Sequence, residues 1–343
     1  MQRAAFFALL FMLFSLRAGA QLAIERALCS GRENPAGVNG HALSFGWELS
    51  SREWDQRQTA YEIFIGKNSS DPAKNALWHS GRVEQSESVN ISCPKPFSPG
   101  KIYYWKVRVW DKHRRVSAWS AVQQFITAPM AAVDWKQAKW IGYEEMPSTQ
   151  RSVPGTHEPD ADTLGERNRK RPVVPYLRRV FSAAKKLKRA TVFVSGLGQY
   201  ELYINRAKVG RSFLAPGWTN YDRRVLFNTY DVTRLISPGK NAIAAIVGNG
   251  FYNINRERYF KITLAYGYPK LIARLKLEYT DGSEENIVTD ERWKTAPSPV
   301  TFTSIYGGED YDARLEQNGW NGAGFNDNGW KAALAVESPS GKL

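Results

Sequence analysis

Aromatic, amide and carboxylate side chains are concentrated in one stretch of the chain, residues 196–252. Carbohydrate sites use these groups: an aromatic ring covers the apolar face of a sugar, and amides and carboxylates bind its hydroxyls. The candidate binding residues are Glu201, Asn205, Trp218, Tyr221, Asn249 and Tyr252. The alternative is structural, with Asn205 turning the chain, Trp218 packing in a core, and Asn249 forming a tight bend between two glycines.

A second acidic group lies at residues 309–312, where one residue separates Asp310 from Asp312. In an extended strand both side chains would share a face. Glycosidases need two carboxylates about 5–9.5 Å apart, so this pair is geometrically compatible with sugar hydrolysis. Salt bridges, including one to Arg314, explain the same residues without catalysis. We expect the structural role.

Other kinds of chemistry lack their sequence signals. All histidines lie at or before residue 157, and none is paired at the spacing of a metal site. No glycine-rich loop is followed by Lys and then Ser or Thr. We therefore expect no histidine-based triad, no zinc site and no nucleotide chemistry.

The candidate residues belong to a β-rich framework. Residues 199–205 alternate between the two faces of a half-buried strand, and Asn205-Arg206 predicts a hairpin turn before residues 207–210. Arg206 stands where glycine is usual, which predicts a different turn type. A single helical turn is predicted at residues 231–236. Further strands are predicted from residue 140 and at residues 176–181, 190–195, 225–230, 242–247, 271–279, 285–289 and 293–296.

The preceding part of the chain is typical of a smaller sandwich. Strand-like runs separated by turn signals occupy residues 42–49, 58–65, 86–92, 102–110 and 121–127. In the fourth run Trp105, Val107 and Val109 share one face, which we predict to be the core face. No long helical periodicity follows residue 20, so the predicted fold class is all-β.

The 343 residues divide into three predicted parts. Residues 1–20 combine a basic start, an apolar run and small residues, which predicts a cleaved signal peptide. We therefore expect an exported protein, periplasmic or extracellular, without a membrane span. Residues 21–132 form the first sandwich and residues 133–343 the second, with a polar, mobile insertion at residues 144–175. Cys29 and Cys93 are compatible with a disulfide and equally with two buried thiols.

The net charge is +14, and basic residues are dense between positions 167 and 189. Such a cluster can attract nucleic acid or an acidic polysaccharide such as pectin. A solvated linker explains the cluster equally simply. We favour the linker and expect no nucleic-acid partner.

Ordered motifs in both sandwiches resemble those of one enzyme family. The first sandwich carries Gln58-Thr59-Ala60-Tyr61, Tyr104-Trp105-Lys106-Val107-Arg108-Val109-Trp110-Asp111 and Trp119-Ser120. The second carries Gly196-Leu197-Gly198, Pro216-Gly217-Trp218-Thr219, Gly248-Asn249-Gly250-Phe251-Tyr252 and Phe325-Asn326-Asp327-Asn328-Gly329-Trp330. In order and spacing they resemble the fibronectin type III-like sandwich and the jelly-roll, galactose-binding-like sandwich at the start of bacterial α-L-rhamnosidases.

The resemblance implies that this chain is the non-catalytic N-terminal part of an exported α-L-rhamnosidase-like glycoside hydrolase. Such a part would orient or bind rhamnose-containing glycans or pectic oligosaccharides. The family's catalytic residues belong to a later α/α toroid, which this sequence lacks, so the implied partner is a toroid from the same or an adjacent gene. The alternatives are a free-standing carbohydrate-binding module and a complete hydrolase that uses Asp310 and Asp312.

The resemblance also raises the question of a metal. Some members of the family bind rhamnose on the jelly roll through a calcium ion held by Asp and Asn side chains, and calcium prefers oxygen ligands. In this chain Ile204 stands beside Asn205 where the acidic residue would be needed. We therefore expect no required cofactor, with calcium as the alternative.

Overall fold

The computed structural model describes residues 22–153, 169–258 and 264–343 and divides the chain into two compact units between Ala128 and Pro129. The predicted signal peptide, residues 1–20, and residues 154–168 of the predicted insertion lie outside this description. The mobility of the insertion stays a prediction. No helix in the described residues is long and apolar enough to cross a membrane.

The first unit is a β-sandwich. Its strands are β1 (Ala23–Cys29), β2 (Ala36–Val38), β3 (Leu43–Ser50), β4 (Gln58–Gly66), β5 (Trp78–His79), β6 (Ile91–Cys93), β7 (Ile102–Asp111) and β8 (Gln123–Thr127). One sheet has the order β1-β3-β6 and the other the order β2-β8-β7-β4-β5. Trp105, Val107 and Val109 of β7 have no exposed surface, which confirms the predicted core face.

The cysteines of the first unit lie on the strands that flank β3. Cys29 of β1 pairs with Phe45, and Cys93 of β6 pairs with Leu43. Both thiols are buried and are not joined in a disulfide, which favours the interpretation as two buried thiols. Burial raises the pKa of the Cys29 thiol to about 12, so this thiol is unreactive at neutral pH.

The second unit is a larger β-sandwich. Its strands are β9 (Ile141–Gly142), β10 (Pro175–Ala183), β11 (Leu187–Leu197), β12 (Gln199–Ile204), β13 (Ala207–Lys208), β14 (Asn228–Asp231), β15 (Gly239–Gly248), β16 (Asn253–Ile254), β17 (Leu264–Ala265), β18 (Lys270–Tyr279), β19 (Glu284–Val288), β20 (Lys294–Pro297), β21 (Val300–Ser304), β22 (Gly308–Tyr311), β23 (Lys331–Ala332) and β24 (Leu334–Ala335). The helical elements of the described residues are the 3₁₀ turns Ala132–Trp135, Ser148–Gln150, Thr233–Leu235 and Ala313–Leu315.

Two antiparallel sheets enclose the core of this unit. The first sheet has the order β13-β12-β15-β10-β20-β23, and the second has the order β14-β11-β18-β9-β24 with β19 also paired to β18. The core side chains between them include Leu177, Val192, Ile243, Leu275 and Trp293, all without exposed surface. The all-β prediction is confirmed, and the 3₁₀ turn Thr233–Leu235 lies where one helical turn was expected.

The hairpin between β12 and β13 corrects one expectation. Asn205 and Arg206 both have positive φ angles, 50° and 75°, which is the pattern of the type I′ turn usual for Asn-Gly. The prediction of a different turn type was therefore wrong. Arg206 tolerates this conformation in a supported setting, because its backbone N–H donates to the carbonyl of Asn321 at 3.1 Å and its side chain lies against Gly319 and Gly322.

Arg178 of β10 anchors the segment of residues 316–330 to the outer face of the first sheet. The guanidinium has no exposed surface; its Nε donates to the carbonyl of Trp320 and its Nη2 to that of Gly322, each at 2.8 Å. Its Nη1 pairs with the carboxylate of Asp327. Beside it the ring of Tyr176 stacks on that of Trp320, with centroids 3.9 Å apart. The outer face of the sheet thereby gains a small second core.

We predict that Arg178→Met lowers the free energy of unfolding by about 3 kcal/mol, because a carboxylate and two carbonyls lose a buried partner. The measurement is urea unfolding followed by circular dichroism. The matched control is Arg292→Met, whose side chain is 68% exposed and whose cost should stay below about 0.5 kcal/mol. Equal midpoints for the two variants would contradict the anchoring role.

Candidate functional site

A cleft beside the start of β18 is lined by tyrosine side chains. Its volume is about 520 Å³, and we refer to it as the tyrosine cleft, after Tyr221, Tyr252 and Tyr266. The rings of Tyr252 and Tyr266 are nearly parallel, with centroids 5.9 Å apart. The ring of Tyr221 meets each of them edge-on at 5.2 Å. Aromatic surface is thus presented in two orientations.

The hairpin of β16 and β17 positions two of these rings. Tyr252 precedes β16 and Tyr266 follows β17, and the backbone N–H of Tyr266 donates to the carbonyl of Tyr252 at 3.1 Å. The next residue, Gly267, lies directly against the Tyr252 ring, because a Cβ there would approach the Tyr252 hydroxyl oxygen to 2.8 Å. A larger residue at 267 would push the Tyr252 ring out of place.

Charged groups complete the lining of the cleft. Arg151 donates from Nη2 to both carboxylate oxygens of Asp222, at 2.7 and 2.6 Å. The Lys270 side chain is only 7% exposed; its Nζ donates to the carbonyl of Glu337 at 2.8 Å and lies 3.7 Å from the Glu145 carboxylate. Burial lowers the pKa of Lys270, and the Glu145 carboxylate opposes that shift.

This combination suits a sugar. An ammonium has three N–H donors; on Lys270 the carbonyl of Glu337 takes one and the Glu145 carboxylate can take a second, so one donor is left for a ligand hydroxyl. Arg151 and Asp222 add donors and acceptors at the wall, beside the tyrosine rings. Two of the candidate residues, Tyr221 and Tyr252, meet here. Both are nearly fully buried, so they shape the cleft more than they offer free surface.

Other candidates lie elsewhere. Trp218 is 59% exposed and not in a core; its ring stacks on Phe251, with centroids 4.6 Å apart. Glu201 pairs with Lys208 on a groove of the outer sheet face. Asn249 is buried, and its Nδ2 donates to the carbonyl of Thr303 at 2.7 Å. The six candidates therefore do not form one site.

Asn205 has a structural role. Its Nδ2 donates to the carbonyl of Leu235 at 2.9 Å and to Oδ1 of Asn241 at 2.6 Å, and its Oδ1 accepts from the backbone N–H of Ala242 at 2.9 Å. Ile204 beside it is fully buried. The pair thus offers no set of oxygen ligands suited to calcium. Within the described residues, no three His, Cys, Asp or Glu side chains are grouped to hold a metal ion.

The carboxylates of Asp310 and Asp312 each accept hydrogen bonds from arginine side chains. Asp310 receives hydrogen bonds from Arg258 at 2.9 and 2.5 Å and from Arg171 at 3.2 Å. Asp312 receives them from Nε and Nη2 of Arg314, at 2.8 and 2.7 Å, as the structural alternative predicted. The hydrogen bond from Arg258 lowers the pKa of Asp310, and that from Arg314 lowers the pKa of Asp312 to about 2. Neither carboxyl is suited to be a general acid, which needs a raised pKa.

Sequence reasoning missed Arg151, Asp222, Tyr266 and Lys270. Two of them carried a local signal: Tyr266 belongs to a Tyr-Gly-Tyr run just before β18, and Asp222 follows a candidate tyrosine. Lys270 and Arg151 carried none. Their positions depend on contacts with Glu337 and Asp222, which are far away in the sequence.

Both units match domains of known enzymes. A family model described as "Rha78A-like, N-terminal immunoglobulin domain" matches residues 24–131, and one described as "Alpha-L-rhamnosidase N-terminal domain" matches residues 185–343. These two sandwiches, in this order, are domains of glycoside hydrolases. The chain carries the two N-terminal domains of α-L-rhamnosidases that these models describe.

Individual relatives agree with this assignment. The chain is 32% identical to an α-L-rhamnosidase of Formosa agariphila over 90% of its own length and 33% of that protein. A solved α-L-rhamnosidase from Dictyoglumus thermophilum is 39% identical with a TM-score of 0.78, and the match covers 94% of this chain and 35% of that one. The Streptomyces avermitilis enzyme, solved with L-rhamnose, is 25% identical with a TM-score of 0.82; the match covers 93% of this chain and 45% of that one. The chain spans about a third of the length of the curated relatives it matches.

We predict that substitutions at two of the candidate residues change the free energy of unfolding by different amounts. Asn205→Ala should lower the free energy of unfolding by about 2 kcal/mol, because a backbone N–H and a carbonyl lose their partner. Trp218→Ala should change it by less than about 1 kcal/mol, because the ring is largely exposed. Urea unfolding of both variants measures this. A larger loss for Trp218→Ala than for Asn205→Ala would reverse the assignment.

Proposed function

We propose that this chain is the non-catalytic N-terminal part of an exported α-L-rhamnosidase-like glycoside hydrolase. In this role it orients or binds rhamnose-containing glycans, including pectic oligosaccharides, at the tyrosine cleft. The observation that carries the proposal is the placement of a nearly buried Lys270 ammonium beside Tyr266, Arg151 and Asp222. The arginine partners of Asp310 and Asp312 argue against a complete hydrolase that uses this pair.

The chemistry of rhamnose fits the cleft. Rhamnose is a deoxy sugar, so a methyl group and ring hydrogens form an apolar face that can pack on a tyrosine ring. Its hydroxyls both donate and accept, and they can bind the Lys270 ammonium, Arg151 and the Asp222 carboxylate. A volume of about 520 Å³ lies within the range of small-ligand sites. Binding on these groups requires no metal.

The test is a calorimetric titration of the chain with a rhamnose-terminated oligosaccharide, with and without calcium. We expect Lys270→Met to weaken binding at least about tenfold, because a charged hydrogen-bond donor is lost. Calcium should have no effect. The fold should survive, because the Glu145 carboxylate that loses its partner is 41% exposed and can be solvated by water.

The matched control is Glu201→Gln, which changes a charged group on a separate groove and should leave the affinity unchanged. Unchanged binding by Lys270→Met, or equal losses in both variants, would remove the tyrosine cleft as the site. A flat titration of the unmodified chain would remove the binding role altogether.

The enzyme context has a separate test. Because the curated relatives are about three times as long as the matched part, we propose that a helical toroid domain, from the same or an adjacent gene, completes the function. We expect the DNA that follows the Leu343 codon to encode such a domain. Unrelated sequence there, together with glycan binding by the chain alone, would favour a free-standing carbohydrate-binding module.

A further inference from the structure

Half of the residues that line a groove of about 390 Å³ on the second unit are cationic. The groove lies where β10 and β20 of the first sheet meet residues 325–328, and it shares no residue with the tyrosine cleft. We call it the basic groove. Its cationic residues are Arg178, Arg179, Lys240, Arg292 and Lys294. Arg179 pairs with the core residue Ile243, so its side chain lies on the opposite face of β10 from that of Arg178.

The carboxylates near the groove do not neutralise these charges. Asp327 is shared by Arg178 and Lys294, whose Nζ lies 2.9 Å from its Oδ1. Asp290 is shared by Arg179, at 3.3 Å, and by Arg292. Each carboxylate therefore forms ion pairs with two cations. Lys240 adds a further exposed positive charge. The Glu285 carboxylate also interacts electrostatically with Arg179. The cations still outnumber the carboxylates, so the net charge of these residues stays positive.

The groove combines fixed and accessible cations. The fixed cation is Arg178, which is 0% exposed. Arg179, on the opposite face of β10, is 11% exposed and donates from Nη1 to the carbonyl of Val288 at 2.9 Å. Arg292 is 68% exposed, so it can reach a ligand. Asn326 and Asn328 supply amide groups, and the Phe325 ring lies over the Arg178 guanidinium at 5.4 Å. Anion, hydroxyl and ring-face recognition are thus available within one groove.

We propose that the basic groove binds the anionic group of an acidic glycan, either a uronate carboxylate or a sulfate ester. Nucleic acid fits less well, because such binding tracks successive phosphates along an extended basic surface, whereas these cations converge on one small groove beside neutral amides. The proposal shares the glycan-directed role proposed above but concerns a separate site. It therefore stands or falls independently of rhamnose binding.

The experiment titrates the chain with tetragalacturonate, which carries carboxylates but no rhamnose, and with a sulfated neutral galactan oligosaccharide. The fully methyl-esterified tetragalacturonate is the uncharged control. We expect at least one anionic ligand to bind and the ester not to bind. Affinity for the carboxylate ligand alone identifies a uronate site, and affinity for the sulfated ligand alone identifies a sulfate site.

Lys240→Glu combined with Arg292→Glu should weaken that binding at least about tenfold, because four units of charge change at the groove. The matched control is Lys188→Glu combined with Arg234→Glu, the same charge change on exposed residues near the other sheet, and it should weaken binding less than about threefold. Lys270→Met should bind the anionic ligand normally.

Equal losses in the two double variants would overturn the proposal in favour of non-specific attraction by net charge. So would binding of the methyl ester, tighter binding of a single-stranded DNA oligonucleotide, or the absence of binding by both anionic ligands. Circular dichroism of each double variant confirms that the fold is retained, which we expect because the exchanged side chains are exposed.

Discussion

Burying the Arg178 guanidinium on the outer face of a sheet is costly unless the charge is paired and hydrogen-bonded. Two backbone carbonyls accept hydrogen bonds from its Nε and Nη2, its Nη1 pairs with the Asp327 carboxylate, and all three partners belong to residues 320–327. The segment is therefore held where Trp320 can stack on Tyr176, and Trp330 lies parallel to the same ring. This single cation links the sheet to the segment that forms one wall of the basic groove and supports the β12–β13 turn.

The two proposed sites differ in how their charged side chains are paired. In the tyrosine cleft one lysine is nearly buried between a carbonyl and a more distant carboxylate, among aromatic rings, which suits a neutral ligand rich in hydroxyls. In the basic groove each carboxylate forms ion pairs with two cations, so the groove has a net positive charge. A polymer that contains both deoxy sugars and acidic sugars could contact both kinds of surface. Its orientation would then be defined by chemistry rather than by shape alone.

Local patterns predicted the long strands and not the site. Period-two alternation located β12, and strand-like runs between turn signals located β10, β15 and β18, because each buries one face or both along many residues. The two-residue strands β16, β17, β23 and β24 were missed, since so short a segment has no measurable period. The longer strands β1, β21 and β22 were missed as well, and in β1 and β21 a register shift interrupts the pairing. Only part of the cleft could be predicted from the sequence. Tyrosines could be chosen by residue type, whereas Lys270 and Arg151 gain their roles from partners that are distant in sequence. Asn205 was placed correctly as a turn residue by its alternative interpretation.

The edge of the second sheet has a consequence for how this unit is made. β9, near the start of the unit, pairs with β24, near its end: Gly142 lies opposite Leu334 and Ile141 opposite Ala335. β9 also pairs with β18, so it bridges the middle of the unit to its last strand. Contacts of such long sequence separation form late, because loop closure must precede them. A ribosome must therefore release nearly the whole unit before this sheet can close, and until then the edge of β9 is open to chaperones or to a neighbouring nascent chain.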